Sequence, residues 1–197
     1  MGLCAVEGGR HPGRGTANLV IPLGSQYVEL LTVVDEDEAA RSPQGRPVLE
    51  ALARRGPGVA RWGVQSDDIE AVARRLGFPV ERRRRVRPDG VVVTWRSVAV
   101  DEAWAEPWRC AFMAFDDAAT HPAHEAVTHA NGATGVARLD VVVPDETALT
   151  TWLGGPVPDG VRLTTGDTPG PAALSLSTPD GPVPVDPPGE AVTGDRR

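Results

Sequence analysis

Short apolar runs broken by turn residues recur along the whole chain, and only a few stretches carry a helical period. The first run covers residues 19–23 and the second 27–34, with Gly24 and Ser25 between them as a short hairpin turn. Alternation in the second run sets Tyr27, Glu29, Leu31 and Val33 on one strand face. Residues 35–38 predict an acidic turn. At 47–55, Val48, Leu49 and Leu52 fall on one helical face, and Gly56 stops the helix. A strand is expected over 59–65 and a cap at 66–68. A helix over 69–76 follows, with Ile69, Val72, Ala73 and Leu76 as its apolar stripe. Strands follow over 80–86 and 91–100, joined by Arg87-Pro88-Asp89-Gly90, where proline presets φ and glycine accepts a positive one. A further strand covers 109–115.

That order of strand, helix and three strands is one complete βαβββ unit. After a polar, His-containing connection the pattern starts again, with a strand at 136–143, a helix at 146–153, and strands at 161–165 and 172–177. VARL at 136–139 echoes VARW at 59–62. The chain opens in turn-rich sequence and shows only strands before residue 35. The expected organisation is a partial first module and linker helix over 1–56 and a complete module over 57–117. A connection over 118–134, a reduced βαβββ-like unit over 135–180 and a disordered tail over 181–197 complete it. Repetition of this kind predicts an α+β fold whose paired sheets curl about a shared cleft.

Composition narrows function more than fold. With 197 residues the chain can bury a real core. No apolar run is long enough to span a bilayer, and the first residues lack signal-peptide character, so the expected compartment is the cytoplasm. Cys4 and Cys110 are too few for a disulfide framework and lack zinc-site spacing. A net charge of −7 argues against general nucleic-acid binding. All 20 basic residues are arginine, which excludes Schiff-base and lysine-nucleophile chemistry and fits a GC-rich, bacterial composition.

Glu29 is the strongest lead, because an ionised carboxylate on an apolar face is costly unless a cation or donor meets it. It could be a metal ligand, a general base, or the partner of a buried arginine. His11 could donate to a ligand or act as acid or base, or simply bond to nearby backbone. Thr16 and Asn18 are expected to fix the Gly-rich turn, and Asn18 is also a candidate ligand contact. Trp62, Trp95, Phe112 and Phe115 either line a cup or fill the core. Arg82 to Arg85 put two guanidinium groups on each strand face; the inward pair could bind an anion or neutralise Glu29. GRHPGRG at 9–15 lacks the Lys-Ser/Thr of a phosphate loop, follows no predicted strand and opens no helix. His121, His124, Glu125 and His129 could form a weak surface metal cluster, but the expected reading is a solvated connection. No local motif assembles a Ser-His-Asp triad.

GGRHPGRGTANLVIPLG at 8–24 with YVELL at 27–31, then WGVQSDDIEAVARRLG at 62–77, VRPDGVVVTW at 86–95 and HPA at 121–123, resemble the glyoxalase-like branch of the vicinal oxygen chelate superfamily. The resemblance covers residues 7–144, with a weaker echo to 181. It implies paired βαβββ modules forming a cup. In such a cup, His and Glu from the first and last strands of each module hold a divalent metal acting as a Lewis acid, with lyase, isomerase or dioxygenase-type activity. It also implies a strand and helix ahead of residue 8 that this truncated first module lacks. A free sheet edge and exposed apolar surface should result, covered by a second copy of the chain or by the C-terminal unit. The ligand set carries over only at Glu29. Residues 59–65 offer Arg61 and Trp62 but no His, Asp or Glu, and Phe112 to Phe115 stand where relatives carry a Glu. One carboxylate does not hold a catalytic ion. The expected function is therefore binding of a small organic molecule in a sheet-lined cup, without a metal or other cofactor. His11, Asn18, Glu29, Trp62, Trp95 and Phe112 are the candidate ligand contacts, and Glu29 and His11 the candidate catalytic groups. The alternatives are a metal-dependent enzyme using Glu29, or a truncated, inactive product. The expected partners are a small-molecule ligand and a second copy of the chain, with neither nucleic acid nor membrane.

Overall fold

A computed structural model describes residues 2–185. Its first sheet is antiparallel, with β1 (Val6–His11), β2 (Thr16–Leu23) and β3 (Gln26–Val33) in the order β1-β2-β3. β1 lies where the glycines predict only turn. Gly8 is buried and must be glycine, because a side chain there would land on the Asn18 side chain, and Gly9 takes a φ of 106° at a bulge in the pairing with β2. The Gly-rich segment thus follows a strand after all, but it opens another strand rather than a helix. Its turn is held by Glu38, whose carboxylate accepts from the Gly13 and Gly15 N–H groups at 3.0 and 2.8 Å. The expected acidic turn is the start of α1 (Glu36–Arg41), where the Asp35 side chain accepts from the Glu38 N–H. Next comes α2 (Arg46–Arg55), stopped by Gly56 as the sequence predicts.

The middle unit runs β4 (Gly63–Gln65), α3 (Ile69–Leu76), β5 (Glu81–Val86), β6 (Val92–Val98), α4 (Val100–Ala105) and β7 (Ala111–Phe115). Its sheet has the order β4-β7-β6-β5, with β4 and β7 parallel and the other pairs antiparallel. The expected βαβββ unit is present, with α4 added between its last two strands. The predicted strand over 91–100 ends early because Ala99 adopts a φ of 62°, a left-handed conformation that turns the chain into α4.

The C-terminal unit comprises β8 (Gly135–Val143), α5 (Glu146–Leu153), β9 (Val161–Thr165), β10 (Gly170–Ser177) and β11 (Val183–Pro184). It repeats the element order of the middle unit but not its pairing. The sheet runs β11-β10-β8-β9, so its first strand pairs in parallel with the second rather than with the last. The expectation of a disordered tail from residue 181 is corrected at its start: β11 pairs with β10, and Val185 N–H donates to the Leu174 carbonyl at 2.8 Å. Residues 186–197 lie outside the described residues.

The main core forms between the middle and C-terminal units, around Ile69, Val98, Phe112, Val141, Leu149 and Leu174. Two indoles are buried there with their donors satisfied. Trp62 Nε1–H donates to the Trp108 carbonyl at 3.2 Å, and Trp152 Nε1–H to the Cys110 carbonyl at 2.9 Å. Arg75 reaches from α3 to donate to the carbonyls of Thr151, Trp152 and Leu153 at 3.2, 2.6 and 2.9 Å, closing the C-terminal end of α5. A smaller cluster of Ile21, Leu23, Ala133 and Leu176 joins the first sheet to the C-terminal unit. The outer face of the first sheet is therefore covered at that end only. Leu19 and Leu30, paired in register further along, remain 43% and 42% exposed. Among the described residues no helix is long and apolar enough to cross a membrane.

Replacing Arg75 by Met should lower the unfolding free energy by about 1–2 kcal/mol, the range for charge-assisted bonds at a helix terminus. The change would be read as a lower urea midpoint at unchanged slope. Burial pushes the Cys110 thiol up to about 12, while Cys4 is exposed. A thiol reagent at pH 8 should label Cys4 alone until the protein is unfolded.

Candidate functional site

The first and middle sheets face one another across a cavity of about 400 Å³. From β2 come Thr16 and Asn18, and from β3 Tyr27, Glu29 and Leu31, the face that alternation predicts. Opposite them stand Arg83 and Arg85 of β5, Trp95 and Ser97 of β6, and Met113 and Phe115 of β7. Arg61, two residues before β4, and Trp104 of α4 close one side.

Four of the six candidate contacts meet here: His11, Asn18, Glu29 and Trp95. Trp62 and Phe112 do not. Both lie in the core against the C-terminal unit, with Phe112 tilted against Trp152 at a centroid distance of 6.5 Å. In each case the neighbour one position away, Arg61 or Met113, points into the cup, because successive strand side chains leave on opposite faces. Both faces of β7 are apolar, so its sequence alone could not show which face was the cup. Trp104 was missed because α4 was missed, although Asp101 and Glu102 in its first turn are a helix-start signal.

Asn18 neither fixes a turn nor bonds to backbone through its side chain. Its Nδ2–H donates to Glu29 Oε1 at 2.6 Å, and its Oδ1 accepts from Arg85 Nη1 at 2.7 Å. Glu29 thus meets its arginine through an amide rather than directly. Arg85 Nε is buried without a partner, and the Arg61 guanidinium lies 5.0 Å from the centre of the Trp104 ring. Of the arginine run, Arg83 and Arg85 turn inward, while Arg82 and Arg84 are exposed. Thr16 also differs from expectation, its hydroxyl lying 2.8 Å from His11 Nδ1. Burial holds the His11 imidazole below its usual range, against the opposing pull of Glu29. Burial, with Glu29 nearby, raises the Tyr27 phenol well above its usual range, so it stays protonated.

Of the three histidines of the connection, His124 is exposed as expected, whereas the other two are not solvated. His121 and His129 are buried, and each has both ring nitrogens engaged. His121 Nδ1 accepts from Ala123 N–H at 3.1 Å and its Nε2–H donates to Gln65 Oε1 at 2.9 Å. His129 Nδ1 accepts from Cys4 N–H at 3.0 Å and its Nε2–H donates to the Pro22 carbonyl at 2.7 Å. Glu125 pairs with Arg87. These residues build the protein rather than hold an ion. Among the described residues no three His, Cys, Asp or Glu side chains come together as a metal site. The divalent ion that the resemblance implies does not fit this donor set, since Asn18 and arginines surround the Glu29 carboxylate and no trio of metal-ligating side chains meets there among the described residues.

The sequence profile of a family described as a glyoxalase-like domain matches residues 1–156. Comparison with curated proteins finds no match. Among solved structures, a hypothetical protein from Staphylococcus aureus superposes with a TM-score of 0.59 at 14% identity, covering 85% of this chain and 79% of that one. At that identity the likeness concerns the fold alone, and it agrees with the α+β, paired-sheet architecture expected from the sequence.

Burial also lowers His121, so both it and His11 sit below the ordinary 6.5 and are neutral at pH 7. A base whose folded value is depressed contributes stability above its unfolded value and loses it as pH falls through the folded one. Histidine NMR titration should place both midpoints below 6.5, and thermal stability should decline on acidification beneath that pH. A His11 midpoint at or above 6.5 would show that burial does not outweigh the pull of Glu29.

Proposed function

The chain belongs to the glyoxalase-like domain family, and on that footing we propose that it binds a small organic molecule in the cup between its first and middle sheets. One observation carries this reading: polar groups from separate elements converge on a single void beside an aromatic wall. Asn18, Glu29 and His11 come from one side, Arg61, Arg85 and Ser97 from the other. Tyr27, Trp95 and Phe115 form the wall, with Phe115 centred 6.3 Å from Tyr27 and 6.0 Å from Trp95. A cavity of about 400 Å³ suits a small ligand, and an apolar wall with a few fixed polar groups is how such sites combine affinity with orientation.

Each group has a role in that reading. Trp95 and Phe115 cover a flat apolar surface. With one oxygen of Glu29 held by Asn18, the other accepts from a ligand donor. The neutral His11 ring and the Glu29 carboxylate are the two places where a proton could be exchanged with the ligand.

A thermal-shift screen of small organic molecules tests the reading. A ligand present at one hundred times its Kd adds about 2.7 kcal/mol of stability. In a chain of this size that is a rise in Tm of about 5–10 °C. The rise should fall by more than half in Trp95→Ala. If no compound shifts the wild-type Tm, the proposal fails.

A further inference from the structure

We propose that the cup selects an organic anion, a carboxylate or phosphate ester with a flat apolar body, and that Arg61 and Arg85 grip its acidic group. This rests on the small-molecule reading above and adds the charge of the ligand.

The chain as a whole carries a net charge of −7, yet the cavity between its first and middle sheets is lined by an excess of cations. Arg14, Arg61, Arg83 and Arg85 face it against two carboxylates, Glu29 and Asp101. Arg83 is taken by Glu81. Among the described residues Arg14, Arg61 and Arg85 have no carboxylate within ion-pair distance. An acidic protein that spreads its arginines for solubility alone would leave them in solvent. These are partly buried, and burial is the largest influence disfavouring their charged forms.

Two details make the pair a receptor rather than a neutralising device for Glu29. First, Asn18 stands between Glu29 and Arg85 and takes only one guanidinium N–H, which keeps the carboxylate from quenching the cation directly. Arg85 Nε remains buried and without a partner, and such a donor is normally met by a ligand or water. Second, the Arg61 guanidinium is oriented by the Trp104 ring 5.0 Å away, with no hydrogen-bond acceptor among the described residues. A planar fork held this way matches the paired oxygens of a carboxylate or phosphate. Glu29 and Asp101 offset part of the charge at longer range, while Arg14 adds a third unpaired cation, so the field in the cup favours an anion.

Calorimetry with matched probes tests this: benzoate against benzamide, and phenyl phosphate against benzyl alcohol. The acids should bind more tightly than their neutral partners. Arg61→Gln and Arg85→Gln should each weaken the acid by about tenfold or more, and Arg61→Lys by less. Arg82→Gln on the outer face should change nothing. Arg61 makes no hydrogen bond that the fold needs, so Arg61→Gln carries the test even where Arg85→Gln loosens the sheets and lowers Tm. Neutral probes that bind as well as the acids, at an affinity unaffected by Arg61→Gln, would overturn the proposal and leave the small-molecule reading standing. An equal loss in Arg82→Gln would also overturn it, because general electrostatics would then explain the effect. If no acid, inorganic phosphate or pyrophosphate binds, the anion proposal falls, and the thermal-shift screen decides separately whether the cup binds anything.

Discussion

The side-chain amide of Asn18 is the joint on which the cup depends. Its two ends face opposite charges, Glu29 on its own sheet and Arg85 on the facing one, at 2.6 and 2.7 Å. A direct pair between those two residues would draw the sheets together and fill the space between them. The amide bonds to both charges while holding them a residue apart, and it leaves Arg85 Nε without a partner. Gly8 on β1 belongs to the same joint, since any side chain there would displace the amide and press on Arg85. Four strands therefore contribute to one small polar contact.

Around that joint, the middle sheet must serve two apolar faces. Its outer face packs on the C-terminal unit through Phe112, Ala114 and Val98, and its inner face supplies Phe115, Trp95 and Met113 to the cup. Tyr27 crosses from the first sheet to meet both Phe115 and His121 edge-on, at 6.3 and 5.9 Å. The aromatic floor is thus shared by two sheets and the connection. His121 is held in turn by Gln65 and the Ala123 backbone, so the His-rich segment is a structural brace beneath the cup.

The C-terminal unit completes the molecule rather than repeating it. Its strands bury one end of the first sheet, where Val136 N–H donates to Gln26 Oε1 at 2.8 Å. Its helix α5 is closed by Arg75 from the middle unit. Half of the outer face of the first sheet gains a cover in this way. The Leu19–Leu30 half does not, and both of those side chains stay exposed.

What the sequence determined by itself was everything carried by local chemistry. The helices at Ile69–Leu76 and Glu146–Leu153 were readable from their caps and periods, and the Pro88-Asp89-Gly90 turn from its residue types. Glu29 stood out because a carboxylate among aliphatic neighbours needs an explanation anywhere in a protein. Tertiary structure alone decided the rest. β1 exists because β2 offers its glycines a partner, and α4 because Ala99 turns into a left-handed conformation that no propensity favours. Whether Arg61 or Trp62, and Met113 or Phe112, faced the cup depended on which side of a two-faced sheet was covered. The pairing of β8 with β9 was likewise a choice among partners distant in sequence. Asn18 gained its role only when Glu29 and Arg85 arrived from different strands, because a hydrogen bond across two sheets leaves no trace in the neighbourhood of any one of its residues.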